Sequence, residues 1–122
     1  MRYKTFLALA ALVMALGISA YAADPTGTWK ATFDTQIGEQ HYTYDLKADG
    51  EKLTGKATND MGATNITEGT VKGDDIFFVE NLTFQDQKIR IEYTGKVSGD
   101  EIKFTRKVGD FATEQFVAKR AK

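Results

Sequence analysis

From Gly27 to Arg120 the chain alternates apolar and polar residues with a period of two, the spacing of a half-buried β-strand. Eight segments carry it: 27–35, 39–48, 53–58, 65–72, 75–82, 88–97, 101–107 and 112–120. One face collects Trp29, Ala31 and Phe33 from the first, Tyr42, Tyr44 and Leu46 from the second, and Leu53 and Ala57 from the third. Ile89, Ile91, Tyr93 and Val97 keep step in the sixth. Ile66 and Val71 fall on opposite parity within the fourth, which predicts a bulge near Glu68-Gly69. Outside the first residues no helical period is sustained.

The breaks between segments are turn chemistry: Asp49-Gly50, Met61-Gly62, Gly73-Asp74, Gly99-Asp100 and Gly109-Asp110. A strand–turn–strand phrase is written twice, as Gly69-Thr70-Val71-Lys72-Gly73-Asp74-Asp75-Ile76-Phe77-Phe78 and again as Gly95-Lys96-Val97-Ser98-Gly99-Asp100-Glu101-Ile102-Lys103-Phe104. Repeated hairpins predict an all-β, antiparallel, eight-strand up-and-down meander. A closed barrel is favoured over a sandwich, because closure removes the open edges that invite aggregation. In a closed meander the last strand runs antiparallel beside the first, so Arg120 comes to Trp29 and lies over the indole as a cation–π lid.

Residues 1–22 read as an export leader. Arg2 and Lys4 precede an apolar stretch from Phe6 to Ile18, and Ala20-Tyr21-Ala22 offers a cleavage site. The expected mature chain, 23–122, is a single β-barrel domain, periplasmic or secreted. Without Arg2 and Lys4 the 16 basic residues fall to 14 against 17 acidic ones, a net charge of −3. That balance excludes the basic stripe of a nucleic-acid binder and argues against docking on an anionic membrane. With no cysteine, the exported domain must be held by burial alone.

Charges on the inward parity are the candidate chemistry. Glu80 follows Ile76 and Phe78, Arg106 follows Ile102 and Phe104, and Glu114 precedes Phe116 and Ala118. Buried ions must be paired, so Arg106 with Glu80 or Glu114, completed by Tyr42, Tyr44 and Tyr93, predicts a polar network. One reading makes it a ligand pocket at a barrel mouth, with Arg106 holding an anionic or hydroxyl-rich ligand. The other readings are a closed structural salt bridge, or strand ends turned to solvent. Phe77, Phe84 and Phe111 are candidates for a sugar-stacking platform. His41 is the single histidine and Ser98 the single serine after the leader, with no nucleophile elbow around it. No cofactor or metal motif is present: the acidic turns lack calcium-loop spacing, and Gly and Asp there serve the turns themselves.

Gly27-Thr28-Trp29 with the late Arg120 resembles the lipocalin-like (calycin) pattern, which implies a small ligand-binding barrel. A longer stretch resembles a small bacterial β-domain that occurs alone after a signal peptide or fused to secreted carbohydrate-active enzymes and esterases. The resemblance is carried by 91–104, Gly109-Asp110-Phe111-Ala112-Thr113, Val117-Ala118-Lys119-Arg120 and the opening Phe33-Asp34-Thr35-Gln36-Ile37-Gly38. It implies an accessory role near polysaccharide breakdown and transfers no catalytic residue. Three functions follow as expectations. The first is an exported non-catalytic binding or accessory module associated with carbohydrate processing, whose partners are a carbohydrate or a secreted enzyme. The second is a calycin-like carrier of a small amphiphile. The third is a glycoside or ester hydrolase, or the remnant of one; for glycoside hydrolysis alone, Glu80 and Glu114 are in principle an acid pair, and no catalytic residue is assigned.

Overall fold

The computed structural model describes residues 24–121, and the leader expected at 1–22 lies outside them. Nine antiparallel strands are joined by tight turns: β1 (Gly27–Thr35), β2 (Gly38–Asp49), β3 (Lys52–Asn59), β4 (Gly62–Asn65), β5 (Thr67–Lys72), β6 (Asp75–Phe84), β7 (Gln87–Ser98), β8 (Glu101–Val108) and β9 (Ala112–Arg120). Each pairs with its sequence neighbour except across β4–β5, where β3 pairs with both. β9 returns to β1 through Trp29↔Arg120 and Lys30↔Lys119, and the sheet closes. The fold is a closed eight-strand β-barrel with one extra strand.

That extra strand is the fourth segment of the sequence pattern divided in two. β4 pairs with β3 from Lys56 to Asn59, and β5 touches it again at Lys52↔Thr70. Between them Ile66 leaves the ladder pattern, its N–H donating to the Gly55 carbonyl at 3.0 Å. The register against β6 shifts between Thr67 and Thr70, where Glu68 takes a left-handed φ of 55°. The bulge lets Ile66 and Val71 both face inward despite their opposite parity. It also explains Gly69: a Cβ there would lie 2.0 Å from the Leu53 carbonyl oxygen, so the strands approach only with glycine.

One turn escaped the sequence pattern. β6 runs past Leu82 to Phe84 and β7 begins at Gln87, so Gln85-Asp86 alone makes the connection. Both residues have positive φ, 51° and 67°, the mirror-image turn that suits the twist of a hairpin. Glycine or asparagine normally marks it; neither is here, so the signal was absent.

The core follows the alternation. Trp29, Tyr44, Phe78, Tyr93, Phe104 and Ile102 are fully enclosed. Tyr93 and Phe78 stack at 4.5 Å between centroids, Phe33 and Phe116 at 3.9 Å, and Phe104 meets Phe78 edge-on. Gly95 gives these rings their space, since a Cβ there would press on Ile102, Ile76 and Phe104 at 2.8–2.9 Å. Val79 is buried too, although it stands on the outward parity beside the bulge.

Candidate functional site

The meander sends alternate turns to opposite ends of the barrel. The β2–β3, β5–β6 and β7–β8 turns share one end with the start of β1 and the end of β9, and Arg120 closes it. Its guanidinium lies 4.2 Å from the Trp29 ring centroid. Nη1 donates to the Thr26 carbonyl at 2.8 Å, Nη2 to the Asp24 carbonyl at 3.1 Å and Nε to Asp100 Oδ1 at 3.2 Å. The indole N–H donates to the carbonyl of buried Pro25 at 2.9 Å. A Cβ on Gly27 would come within 2.9 Å of Arg120 Nη1, so glycine two residues before the tryptophan makes room for the lid. At this end each nitrogen of the lid guanidinium donates a hydrogen bond and the core is capped.

The opposite end is open. A cup of about 650 Å³ lies inside the β1–β2, β3–β4, β6–β7 and β8–β9 turns, on the scale of small-molecule pockets. Leu82, Ile89, Ile91 and Val108 line its apolar walls, while Tyr42, Asn59, Arg106 and Glu114 line its polar part. Its rim carries one large exposed apolar side chain per turn: Ile37, Met61, Phe84 and Phe111.

Strand register assembles the polar group. Arg106 in β8 sits directly between Tyr93 of β7 and Glu114 of β9 as cross-strand partners. Tyr42 and Tyr44 reach the cluster from β2. Arg106 Nη1 donates to Glu114 Oε1 at 2.6 Å, Nε to the Tyr93 hydroxyl at 2.9 Å and Nη2 to the Tyr42 hydroxyl at 3.1 Å. The two tyrosines pass their own protons to Glu80, Tyr42 to Oε2 at 3.0 Å and Tyr93 to Oε1 at 2.8 Å. Tyr44 donates to Tyr93 at 3.0 Å, and Asn59 Nδ2 to Tyr42 at 3.1 Å. Guanidinium carbon lies 5.2–5.7 Å from the ring centroids of Phe33, Tyr42 and Tyr93, which adds cation–π attraction.

All six residues that parity nominated thus meet in one network. Arg106 pairs directly with Glu114, and it reaches Glu80 only through two tyrosine hydroxyls. No buried side-chain nitrogen or oxygen among the described residues lacks a partner. Burial pushes the Glu80 carboxyl above its ordinary range, opposed by the Tyr93 bond, the Arg106 charge and the Tyr42 bond. It raises Tyr42, Tyr44 and Tyr93 as well. Burial alone would lower Arg106, but the tyrosine oxygens and Glu114 outweigh it and the guanidinium stays charged.

The arrangement speaks against the acid-pair reading. Glu80 is 1 % exposed and both its oxygens already accept hydrogen bonds, so it presents nothing to a substrate. His41 lies on the outer face of β2, beside Thr32 and Glu39, while exposed Ser98 ends β7 at the closed end of the barrel. Of the platform candidates, Phe84 and Phe111 are exposed at the open rim, whereas Phe77 is half-buried near the start of β6, toward the closed end. Asn59 is the polar residue the sequence reading missed. Continuing the Leu53–Ala57 parity by two residues would have found it, but the third segment was ended at Thr58.

Compared with protein-family models, with curated proteins and with solved structures, the chain matches none.

Proposed function

We propose that this chain is an exported, non-catalytic binding protein whose open barrel end takes a small amphiphilic molecule. The cup of about 650 Å³ carries the reading, open at one end beside a core of packed aromatic and aliphatic side chains. Apolar walls above a polar floor suit a molecule with one polar end. A fully capped Glu80 supports binding over catalysis, and export rests on the leader sequence.

A neutral amphiphilic dye, N-phenyl-1-naphthylamine, tests this. Its fluorescence is expected to rise saturably with the protein. Ala112→Trp is expected to abolish the rise, since Ala112 lines the cup opposite Val108 and a bulky ring would fill it. No saturable signal, or binding indifferent to Ala112→Trp, would sink the reading.

A second reading has its own observation. Exposed Phe84 and Phe111 at the rim suit stacking on a sugar ring, in keeping with a module that accompanies secreted carbohydrate-processing enzymes. Soluble oligosaccharides decide it by thermal midpoint. A ligand at 100 times its Kd adds about 2.7 kcal/mol, which moves the midpoint of a domain this size by roughly 10 °C or more. An oligosaccharide shift removed by Phe111→Ser would replace the amphiphile with a saccharide.

A further inference from the structure

The polar floor imposes a charge rule on whatever fills the cup, which rests on the cup being the binding site. Proton placement fixes the state of Glu80. The Tyr42 oxygen faces two donors, Arg106 Nη2 and Asn59 Nδ2. Asn59 is held in that orientation because its Oδ1 accepts the Met61 N–H at 2.8 Å. The Tyr42 proton therefore has one acceptor, Glu80 Oε2. On the other side, the Tyr93 oxygen faces the Arg106 Nε–H, and its proton goes to Glu80 Oε1. A neutral Glu80 would have to reverse that bond, send the Tyr93 proton to Tyr44, and strand the Tyr44 proton in the core. A buried hydroxyl without an acceptor is costly. The pattern favours the Glu80 carboxylate, against the burial that raises its pKa.

One guanidinium is thus flanked by two carboxylates, for a local formal charge of −1. What the cup sees of this cluster is Arg106 and Glu114, with Tyr42 and Asn59 beside them. Arg106 has five N–H groups and spends three on Glu114, Tyr93 and Tyr42. Glu114 Oε1 takes one of them; Oε2 accepts no hydrogen bond from the described residues. The floor therefore offers donors and an acceptor side by side, while the guanidinium charge is already more than cancelled. An anion would be desolvated into a site of its own sign. A group that both accepts and donates without charge meets neither obstacle.

We infer that the cup takes an amphiphile with a hydroxyl or amide head on the Arg106–Glu114 floor and an apolar body against Leu82, Ile89 and Ile91, and that it rejects the matching anion.

A series with one tail tests the rule: octanamide, 1-octanol and octanoate, titrated calorimetrically into the purified protein near neutral pH. Octanamide and octanol are expected to bind, with octanoate weaker by roughly 10-fold or more, the scale of opposing one like charge near a partly screened site. Octanamide, and not the dye, is expected to move the Arg106 Nε–H resonance, which places the head on the floor. Glu114→Gln removes one negative charge and keeps a carbonyl for Arg106. It is expected to raise octanoate affinity relative to octanamide by roughly that same factor, with a single cooperative thermal transition showing that it folds. Octanoate binding more tightly than octanamide to the unsubstituted protein would overturn the charge rule and leave the cup standing. Dye binding with no member of the series bound would also overturn it. Failure of dye and series together would remove the cup, and this inference with it.

Discussion

The two ends of this barrel use the same parts to opposite effect. Each has an arginine set against aromatic rings, Arg120 on Trp29 and Arg106 on Phe33, Tyr42 and Tyr93. Arg120 lies across its end and bonds two backbone carbonyls just before β1, so it ties the end of β9 to the start of β1 and shuts the barrel. Arg106 sits below its end and bonds side chains alone, which leaves the space above it open. The turns follow suit. Those at the closed end are glycine and charged residues, Gly50-Glu51, Gly73-Asp74 and Gly99-Asp100, while each turn at the open end displays an exposed apolar side chain. An arginine–aromatic pair therefore says little about function; what its remaining donors bond decides whether it is a lid or a floor.

Removing the anchors of the two ends should give the largest effects. Trp29→Ala is expected to destabilise by about 3–5 kcal/mol, the range for deleting a fully buried large aromatic. A loss below about 1 kcal/mol in denaturant titration would show that the closed end contributes little to the core. Arg106→Met is expected to cost a similar amount, about 3–5 kcal/mol, because it leaves the Glu114 carboxylate buried without its partner. Adding Glu114→Leu to it should recover much of that loss, since a buried pair replaced by apolar groups is often neutral. Failure to recover would mean that the tyrosines and Glu80 depend on the arginine more than Glu114 does.

A lid more exposed than the floor should matter less. Arg120→Met is expected to cost about 1–2 kcal/mol, the order of a partly desolvated cation–π contact. If it cost as much as Arg106→Met, the distinction between a capping and a core arginine would fail.

Glu80 offers a test that the closed end lacks. Its carboxyl is raised on folding, so the folded state binds the proton more tightly than the unfolded one. Its contribution is therefore most favourable below the ordinary carboxylate value of 4.5 and declines as pH rises from there through the raised value. Asp24 and Glu68 have lowered values and act in the opposite sense, losing their contribution as pH falls. The difference between the stability–pH curves of the protein and Glu80→Gln isolates the buried group. It is expected to slope down with rising pH across that window; a flat difference would mean that Glu80 titrates as it does unfolded.

The smallest effect on stability is expected at the rim. Ile37→Ser should change it by no more than about 0.5 kcal/mol, as for an exposed position. A larger loss in urea would show that the rim packs as core, and the contrast between a closed and an open end would weaken.

Much of this molecule is legible in the order of its residues. The period-two alternation assigns Trp29, Tyr44, Ile91, Phe104 and the others to the interior, and Glu80, Arg106 and Glu114 to the same side. The opposed parity of Ile66 and Val71 marks the bulge. These are local facts, because the side-chain period of a strand is fixed by its pleat. The Gln85-Asp86 turn was not legible, since its positive φ values fall on residues that rarely adopt them. Nor was the split of β4 from β5, because it arises where the Gly69 backbone closes on Leu53 from another strand.

Parity alone determined which side chains point inward; only the closed sheet decided which of them meet. Whether Arg106 would bond Glu80 or Glu114 depended on register: the pairing of β8 with β9 put Glu114 opposite it, and the pairing of β7 with β8 put the Tyr93 hydroxyl in between. The same geometry decided that one end is sealed and the other hollow. Side-chain volume per strand is written in the sequence, but the space those volumes must fill is set by closure of the barrel, a property that no single strand carries.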